Sequence, residues 1–326
     1  MGLDKALLYV TLWPSFQHFR RFGLDDRVAG LRLNSAKASQ EEVVQAMQTL
    51  ADLRTRVPEY FDIKGRQLRV VEVYNDYDPF KPPAETPMSI RLNHPISLDV
   101  SSDRPLPVLF KGGEDSGLLI SVSDDGYVLT FAVPPTYTVT AGDSLCIRHP
   151  SLVVKGEQFT DAEKEKIVLV RRAGVRRFFL SYTQCQSDID EFRDLVGCDS
   201  EVMLKIEDKK GLEFVAREFR KCDELTLVAA RGDLFVEVDR PHHILAAQRL
   251  ILAHDPEAMV GSRILLSLVK SQVPSAADLS ELAWLWDIGY RKFMLCDELC
   301  LKEELLATAV NVFEAFFRDY PRSLQI

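Results

Sequence analysis

The chain reads EVMLKIE at residues 201–207 and LTLVAARGD at residues 225–233, and these two stretches decide the fold. Both contain short apolar runs of the kind that form buried strands, and residues 209–222 between them have helical spacing. A strand, a helix and a second strand within about 30 residues make a βαβ unit. Because consecutive parallel strands end side by side, polar residues at their carboxyl ends are predicted to meet.

Three charged side chains stand at those strand ends. Lys205 and Glu207 are two residues apart and therefore leave the strand on the same side, and Asp233 follows the next strand. Two carboxylates in one cluster suit Mg²⁺ or Mn²⁺, and a neighbouring ammonium suits a developing negative charge. Taken alone, a Lys-x-Glu segment more often belongs to a solvent-exposed strand, and an Arg-Gly-Asp segment more often forms a turn. At βαβ spacing the two together favour a metal site, because Lys and Glu are costly to bury without partners.

The composition is that of an ordinary globular protein. The chain has 326 residues, 46% of them hydrophobic and 27% charged, with a net charge of −9. An acidic surface argues against nucleic acid as the main partner. The six cysteines form no CxxC pair and are interpreted as reduced packing residues. Without a signal peptide or an apolar run of membrane-spanning length, the expectation is a soluble cytoplasmic protein with no membrane partner.

The pattern of predicted secondary structure divides the chain into two kinds of segment. Residues 1–69 and 157–326 alternate strand and helix, and a capping box of Ser39 and Glu42 opens a helix predicted over 39–54. Residues 70–156 show no helical period and contain short alternating strands, turn pairs and the prolines Pro79, Pro82, Pro83, Pro87, Pro95, Pro105 and Pro107. The alternating segments are predicted to hold eight strands, at residues 6–12, 28–33, 59–63, 175–180, 201–207, 225–229, 258–263 and 292–295. This predicts an α/β fold, a (β/α)₈ TIM barrel with an all-β, barrel-like lid domain inserted after the third strand.

Several ordered segments resemble those of one enzyme family. They are Thr11-Leu12-Trp13-Pro14-Ser15, Leu31-Arg32-Leu33-Asn34, Asp62-Ile63-Lys64-Gly65 with Arg69, Lys155-Gly156, Thr160-Asp161-Ala162-Glu163-Lys164, Lys205-Ile206-Glu207 and Ala230-Arg231-Gly232-Asp233-Leu234. Their order and strand-end placement resemble pyruvate kinase, in a short form lacking the family's C-terminal domain. The resemblance implies a cytoplasmic, Mg²⁺-dependent transferase that passes a phosphoryl group between phosphoenolpyruvate and ADP, giving pyruvate and ATP.

The resemblance also implies roles for individual residues. Glu207 and Asp233 would hold Mg²⁺ or Mn²⁺, Lys205 would stabilise charge on the phosphoryl group and the enolate, and Arg32 would bind the transferring phosphate. Ser262 would assist protonation of the enolate.

The remaining roles concern the substrate carboxylate, a monovalent cation and the nucleotide. Backbone amides near Ala230 and Gly232 would bind the substrate carboxylate, next to Asp233. The resemblance would place a K⁺ site at Asn34 and Asp62. The nucleotide phosphates would be met by Arg69, Lys155 and Lys37.

Some positions depart from the family pattern. Ala36 lacks the hydroxyl of the family's serine, and Gln67 replaces a carboxylate beside the monovalent cation. These changes argue against a K⁺ requirement, with Lys37 or Arg66 supplying positive charge instead. Trp13 replaces a glycine near the phosphates.

Three functions remain open from the sequence. The first is a phosphotransferase acting on phosphoenolpyruvate and ADP. The second is a metal-dependent aldolase or lyase that stabilises a pyruvate enolate, and the third is a keto-acid-binding regulatory protein without catalysis. A homo-oligomer is compatible with all three.

Overall fold

The first part of the chain builds three of the barrel strands. The computed structural model describes residues 5–53, 55–75 and 88–323. In chain order the elements are β1 (Leu7–Thr11), α1 (Phe19–Gly23), β2 (Val28–Asn34), α2 (Gln40–Leu53) and β3 (Glu59–Ile63). The capping box forms at the start of α2, where the Ser39 amide donates to Glu42 Oε2 at 2.7 Å and the Glu42 amide donates to Ser39 Oγ at 3.2 Å. The end predicted for this helix, Arg54, lies outside the described residues.

The middle of the chain forms a separate antiparallel β unit. Its strands are β4 (Val70–Asn75), β5 (Met88–Leu92), β6 (Ile96–Ser97), β7 (Leu106–Phe110), β8 (Asp115–Val122), β9 (Val128–Val133), β10 (Leu145–Ile147) and β11 (Val153–Val154). Six of them form one sheet in the order β10-β7-β8-β9-β5-β4, and β11 pairs with β6. A core of its own, with Phe110, Leu129 and Phe131 at its centre, holds this unit together. We call it the lid. Of the prolines noted in the sequence, Pro79, Pro82, Pro83 and Pro87 lie outside the described residues.

The rest of the chain returns to alternating helices and strands. The elements are α3 (Asp161–Arg172), β12 (Arg177–Leu180), α4 (Gln186–Val196), β13 (Glu201–Ile206), α5 (Lys209–Arg217), β14 (Leu225–Ala230), α6 (Arg231–Glu237), α7 (His243–His254), β15 (Met259–Gly261), α8 (Ala276–Ile288), β16 (Lys292–Met294), α9 (Asp297–Cys300) and α10 (Glu303–Ser323).

Eight parallel strands close into a barrel in the order β1-β16-β15-β14-β13-β12-β3-β2. This confirms the predicted TIM barrel with an all-β domain inserted after the third strand. The lumen is filled by one set of side chains, namely Tyr9, Tyr60, Phe179, Met203, Val228, Met259 and Met294. Because the lumen is packed, a ligand can approach the strands only at the ends of the barrel, and the functional residues belong to the carboxyl end.

Three details differ from the expectation. Helix α5 ends at Arg217 rather than at 222, and the final helix that the sequence predicts over residues 299–317 is divided into α9 and α10. The Arg-Gly-Asp segment is the first turn of helix α6 and not a loop, and Leu234 of this helix is buried in the barrel core. Asp233 is therefore held on a helix that starts directly after β14.

The described part of the chain contains no helix with the length and apolarity needed to cross a membrane. The six cysteines, all of which lie in that part, are free thiols.

Candidate active site

A cavity of about 780 Å³ opens at the carboxyl ends of the barrel strands. Its barrel wall includes Lys205 near the end of β13, Glu207 directly after that strand, and Asp233 on α6. Its opposite wall is the lid, which contributes Gly112 and Asp143 among others. The convergence predicted from the two sequence stretches is therefore present, inside a cleft between two units of the chain.

The Lys205 ammonium is held by oxygen acceptors on three sides. Its Nζ lies 2.9 Å from Glu207 Oε1, 2.8 Å from Ser181 Oγ and 3.8 Å from Asp62 Oδ2. The side chain is only 7% exposed. A buried lysine with these partners is fixed in position, so its charge can be aimed at a bound ligand.

Glu207 is the buried carboxylate of the pair. Its Oε2 accepts the backbone amide of Tyr182 at 2.7 Å, and Tyr182 has a φ of 53°, a left-handed conformation that aims this amide into the site. Burial raises the pKa of Glu207 to about 7, with the Asp233 charge adding to the shift and Lys205 opposing it. Two carboxylates that repel each other in a buried site would be stabilised by a cation.

The donor set fits a small divalent cation. Asp233 is partly exposed and accepts Gln67 Nε2 at 3.3 Å. Among the described residues, no group of three or more His, Cys, Asp or Glu side chains is arranged to hold a metal ion. A cation at Glu207 and Asp233 would therefore need further oxygen ligands from substrate or water, as Mg²⁺ typically has.

Asp62 is the fully buried anion at the centre of the charge network. Its Oδ2 lies 2.6 Å from Arg32 Nη2, 2.7 Å from Arg32 Nε and 2.6 Å from Lys64 Nζ. Burial alone would raise the pKa of Asp62, but the Lys205, Lys64 and Arg32 charges outweigh it and lower that pKa. The residue stays ionised and holds three cations at the mouth of the barrel.

Asp297 completes the network from the last barrel strand. Its Oδ2 accepts Arg32 Nη1 at 3.1 Å and its Oδ1 accepts Asn34 Nδ2 at 3.0 Å. The side chain is 47% exposed, in contrast to the 9% of Arg32. Asp297 thus holds Arg32 from the open side of the cavity.

The fold and this geometry can be compared with known proteins. The family model described as "Pyruvate kinase, barrel domain" matches residues 113–295, more than half of the chain. The chain belongs to the pyruvate kinase family.

Two curated pyruvate kinases are similar over most of the chain. That of Thermoplasma acidophilum is 26% identical over 294 residues, which cover 85% of this chain and 51% of the relative. That of Encephalitozoon cuniculi is 23% identical over 95% of this chain and 67% of the relative. The chain therefore spans about half the length of the first relative and two thirds of the second.

Solved structures share the fold. Pyruvate kinase from Pyrobaculum aerophilum superposes with a TM-score of 0.70 at 18% identity, covering 96% of this chain and 73% of that one. Cryptosporidium parvum pyruvate kinase in complex with ADP gives 0.72 at 20% identity, covering 98% and 70%. At these identities the likeness shows the fold alone.

Asn34 and Asp62, the residues predicted to form a K⁺ site, are bonded to protein groups. Asn34 Oδ1 accepts the Ala36 amide at 3.2 Å, and its amide nitrogen is bonded to Asp297. The Asp62 carboxylate already carries Lys64 and Arg32. A K⁺ ion at Asn34 and Asp62 would therefore have to compete with these protein partners. The positive charge comes from Lys64 and Arg32 rather than from the residues suggested by the sequence.

Those two suggested cations lie elsewhere. Lys37 Nζ is 2.8 Å from Asp143 of the lid. Arg66 lines a second cavity, of about 550 Å³, between the lid and the start of α5. Neither side chain reaches the Asp62 carboxylate.

The three cations predicted to bind nucleotide do not gather at one point. Arg69 Nη1 donates to the Gly142 carbonyl of the lid at 2.6 Å, and Nη2 donates to Gln67 Oε1. Lys37 also lines the cavity, with Asp143 as its partner. Lys155 is exposed and lies outside the cavity lining.

The residues predicted on the substrate side do share the cavity. Ala230, Gly232 and Ser262 line it together, and a Cβ built on Gly232 would lie 3.5 Å from Ser262 Oγ. Ser262 is strained, with a φ of 66°, and its carbonyl accepts Arg231 Nε at 3.1 Å and Nη2 at 2.6 Å. Arg231, which pairs with Glu281 at 2.5 Å, thus fixes the backbone that carries the Ser262 hydroxyl.

Sequence reasoning missed several members of the site. Ser181, Tyr182 and Asp297 were given no role, and their contacts with Lys205, Glu207 and Arg32 depend on the closure of the barrel. Arg231 had a usable signal, since an arginine directly after a fully apolar strand needs buried partners.

Proposed function

We propose that this chain transfers a phosphoryl group between phosphoenolpyruvate and ADP, giving pyruvate and ATP. The observation that carries the proposal is the Lys205 ammonium, fixed 2.9 Å from Glu207 beside Asp233 in a cavity that the lid faces. Membership of the pyruvate kinase family supports it.

Glu207 and Asp233 would hold Mg²⁺ or Mn²⁺. When bound, such an ion neutralises negative charge on the substrate oxygens and polarises them. The proposal assigns no further metal ligand to the chain.

Lys205 would stabilise the negative charge that develops on the enolate and on the transferring group. Ser181 and Glu207 hold its Nζ in place before substrate arrives, so little reorganisation is needed. Removal of a preorganised donor of this kind raises the activation barrier of a reaction by roughly 3–4 kcal/mol.

Arg32 would bind the phosphoryl oxygens, with its orientation set by buried Asp62. Ser262 would pass a proton to the enolate carbon from a hydroxyl whose backbone Arg231 fixes. The amides near Ala230 and Gly232 would bind the substrate carboxylate.

The lid would exclude water from the transferring group. Lys37 and Arg69 are bonded to lid atoms, so nucleotide phosphates would have to replace Asp143 and the Gly142 carbonyl as their partners. Lys155 would take part only after a movement of the lid.

A second function is favoured by this same arrangement. Two predicted nucleotide cations are occupied by lid groups and the third lies outside the cavity, which is what a metal-dependent aldolase or lyase acting on a pyruvate enolate would tolerate. A keto-acid-binding protein without turnover would tolerate it as well.

One assay separates the three functions. The chain is mixed with phosphoenolpyruvate, ADP and Mg²⁺, with K⁺ present or replaced by tetramethylammonium, and ATP is measured. Formation of ATP supports the kinase, and because Ala36 lacks a hydroxyl and Gln67 lacks a carboxylate, we expect the rate to be independent of K⁺. Deuterium exchange at pyruvate without nucleotide binding would favour the lyase, and binding without any turnover the regulatory protein.

Lys205→Ala tests the role of the ammonium directly. We expect ATP formation to fall at least about a hundredfold, because one preorganised donor is lost. Mg²⁺ binding, followed by calorimetry, should be largely retained, since the carboxylates remain. The exposed Lys210→Ala is the matched control and should keep its rate. Equal activity of Lys205→Ala and the unmodified chain would rule out the kinase mechanism.

A further inference from the structure

Asp297 contacts Arg32 within the cavity. It follows β16 at the start of α9, and its carboxylate bonds both Arg32 and Asn34. It lines the cavity and is 47% exposed, whereas Asp62 on the other side of Arg32 is fully buried.

Both N–H groups of Arg32 Nη1 are used. Nε and Nη2 point to Asp62 Oδ2 at 2.7 and 2.6 Å. Nη1 donates to Thr11 Oγ1 at 3.2 Å and to Asp297 Oδ2 at 3.1 Å. Since Nη1 has only two N–H groups, a phosphoryl group that binds this atom must displace Thr11 or Asp297 as its acceptor. Asp297 is the exposed acceptor and therefore the displaceable one.

The charges of the network give the same result. The cations Arg32, Lys64 and Lys205 face the carboxylates Asp62, Glu207, Asp233 and Asp297. Without Asp297 the two signs would be equal in number. Asp297 therefore adds one negative charge beside Arg32, where a phosphoryl dianion would enter.

We propose that Asp297 is a specificity-determining residue, which competes with the phosphoryl group for Arg32 and so weakens the binding of phosphoenolpyruvate relative to pyruvate. Pyruvate has no phosphoryl group and leaves the Arg32–Asp297 pair intact. The inference rests on the proposed function for its choice of ligands, but it concerns binding and not turnover.

The test is a comparison of two ligands on two proteins. Phosphoenolpyruvate and pyruvate are titrated in Mg²⁺ buffer into the unmodified chain and into Asp297→Asn, with binding followed by the fluorescence of Trp13, which lines the cavity. For Asp297→Asn we expect the Kd of phosphoenolpyruvate to fall about tenfold, because one like charge near the phosphoryl group is removed. The Kd of pyruvate should stay within about twofold.

Two further variants guard against a merely structural effect. Glu298→Gln removes the neighbouring cavity carboxylate, which has no contact with Arg32 among the described residues, and should leave the ratio of the two Kd values unchanged. Asp297→Glu keeps the charge and should keep the weak binding of phosphoenolpyruvate.

The outcomes separate the two proposals. An equal shift for both ligands, weaker binding of phosphoenolpyruvate to Asp297→Asn, or no binding of either ligand to either protein would overturn the role of Asp297. If Asp297→Asn binds phosphoenolpyruvate more tightly and pyruvate equally well, but the unmodified chain forms no ATP, the role of Asp297 is supported and the kinase function is excluded.

Discussion

At the residue scale, the carboxyl groups show how burial and charge set ionisation. Asp62, buried among three cations, has a lowered pKa, while Glu207 is buried beside a second carboxylate and has a raised one. The two residue types are the same in chemistry, and only their neighbours differ. The sequence predicted that Lys205, Glu207 and Asp233 would meet, because strand-end positions follow from the strand pattern. It gave no means of predicting which cation each carboxylate would pair with.

Glu237 makes the stability of the protein depend on pH. It lies on α6 with the lid residue Cys146 as a hydrogen-bond partner, and burial, with added repulsion from Asp208 and Asp233, raises its pKa to about 7. The native state therefore keeps a proton that the unfolded chain releases. The stabilising contribution of this proton is fully present below pH of about 4.5, which is the pKa of the glutamate in the unfolded chain. It is lost as the pH rises through about 7, the pKa in the folded protein.

Glu237→Gln should remove this dependence. Relative to the unmodified chain, the variant should gain about 3 kcal/mol of unfolding free energy between pH 4.5 and 8, since one pKa unit corresponds to ~1.4 kcal/mol. Urea denaturation at both pH values measures the difference. Glu218→Gln, at an exposed position, is the control and should run parallel to the unmodified chain. Parallel behaviour of Glu237→Gln would show that this carboxyl group does not titrate as described.

At the element scale, local capping signals decide where helices begin. The Ser39–Glu42 box was recognised in the sequence and is formed in the structure. Thr160 likewise accepts the Glu163 amide at 3.3 Å at the start of α3, directly after the lid. Helix ends were predicted less well, as α5 shows, because residues 218–222 carry no glycine or proline to mark a stop.

Thr160→Ala should therefore destabilise the barrel. Loss of the cap is expected to lower the unfolding free energy by about 1 kcal/mol. Thr308→Ala offers a matched comparison inside α10, where the threonine is exposed and alanine is the better helix former. That control should be neutral or stabilising in the same urea titration. Equal losses at the two positions would mean that the Thr160 hydroxyl has no capping effect.

At the scale of the whole molecule, polar contacts connect the lid to the barrel across the cavity. Lys37 pairs with Asp143, Arg69 donates to the Gly142 carbonyl, and Arg263 Nη2 donates to the Gly112 carbonyl at 3.3 Å. The Lys37 side chain is 61% exposed, so its pair with Asp143 is weak, as surface ion pairs generally are. Such contacts suit a lid that must open for substrate.

Lys37→Ala should loosen one edge of the lid without unfolding it. We expect amide hydrogen exchange in residues 140–144 to become about 1.4- to fivefold faster, which corresponds to the 0.2–1 kcal/mol of an exposed ion pair. Mass spectrometry of peptides from this segment measures the change. Exchange in the barrel strands should not change, and Lys155→Ala, at an exposed lysine outside the cavity, is the control. Unchanged exchange in 140–144 would show that the ion pair does not hold the lid.

The sequence by itself determined the barrel, the position of the inserted lid and the family, because strand alternation, helical period and strand-end motifs are local properties. Only the tertiary structure decided the partners within the site. Asp297 reaches Arg32 across 265 residues of sequence, and Lys37 meets Asp143 across 106. Such pairs exist because the barrel closes and the lid folds over it. The pattern of residues within one segment cannot predict which distant charged residue will contact that segment in the folded protein.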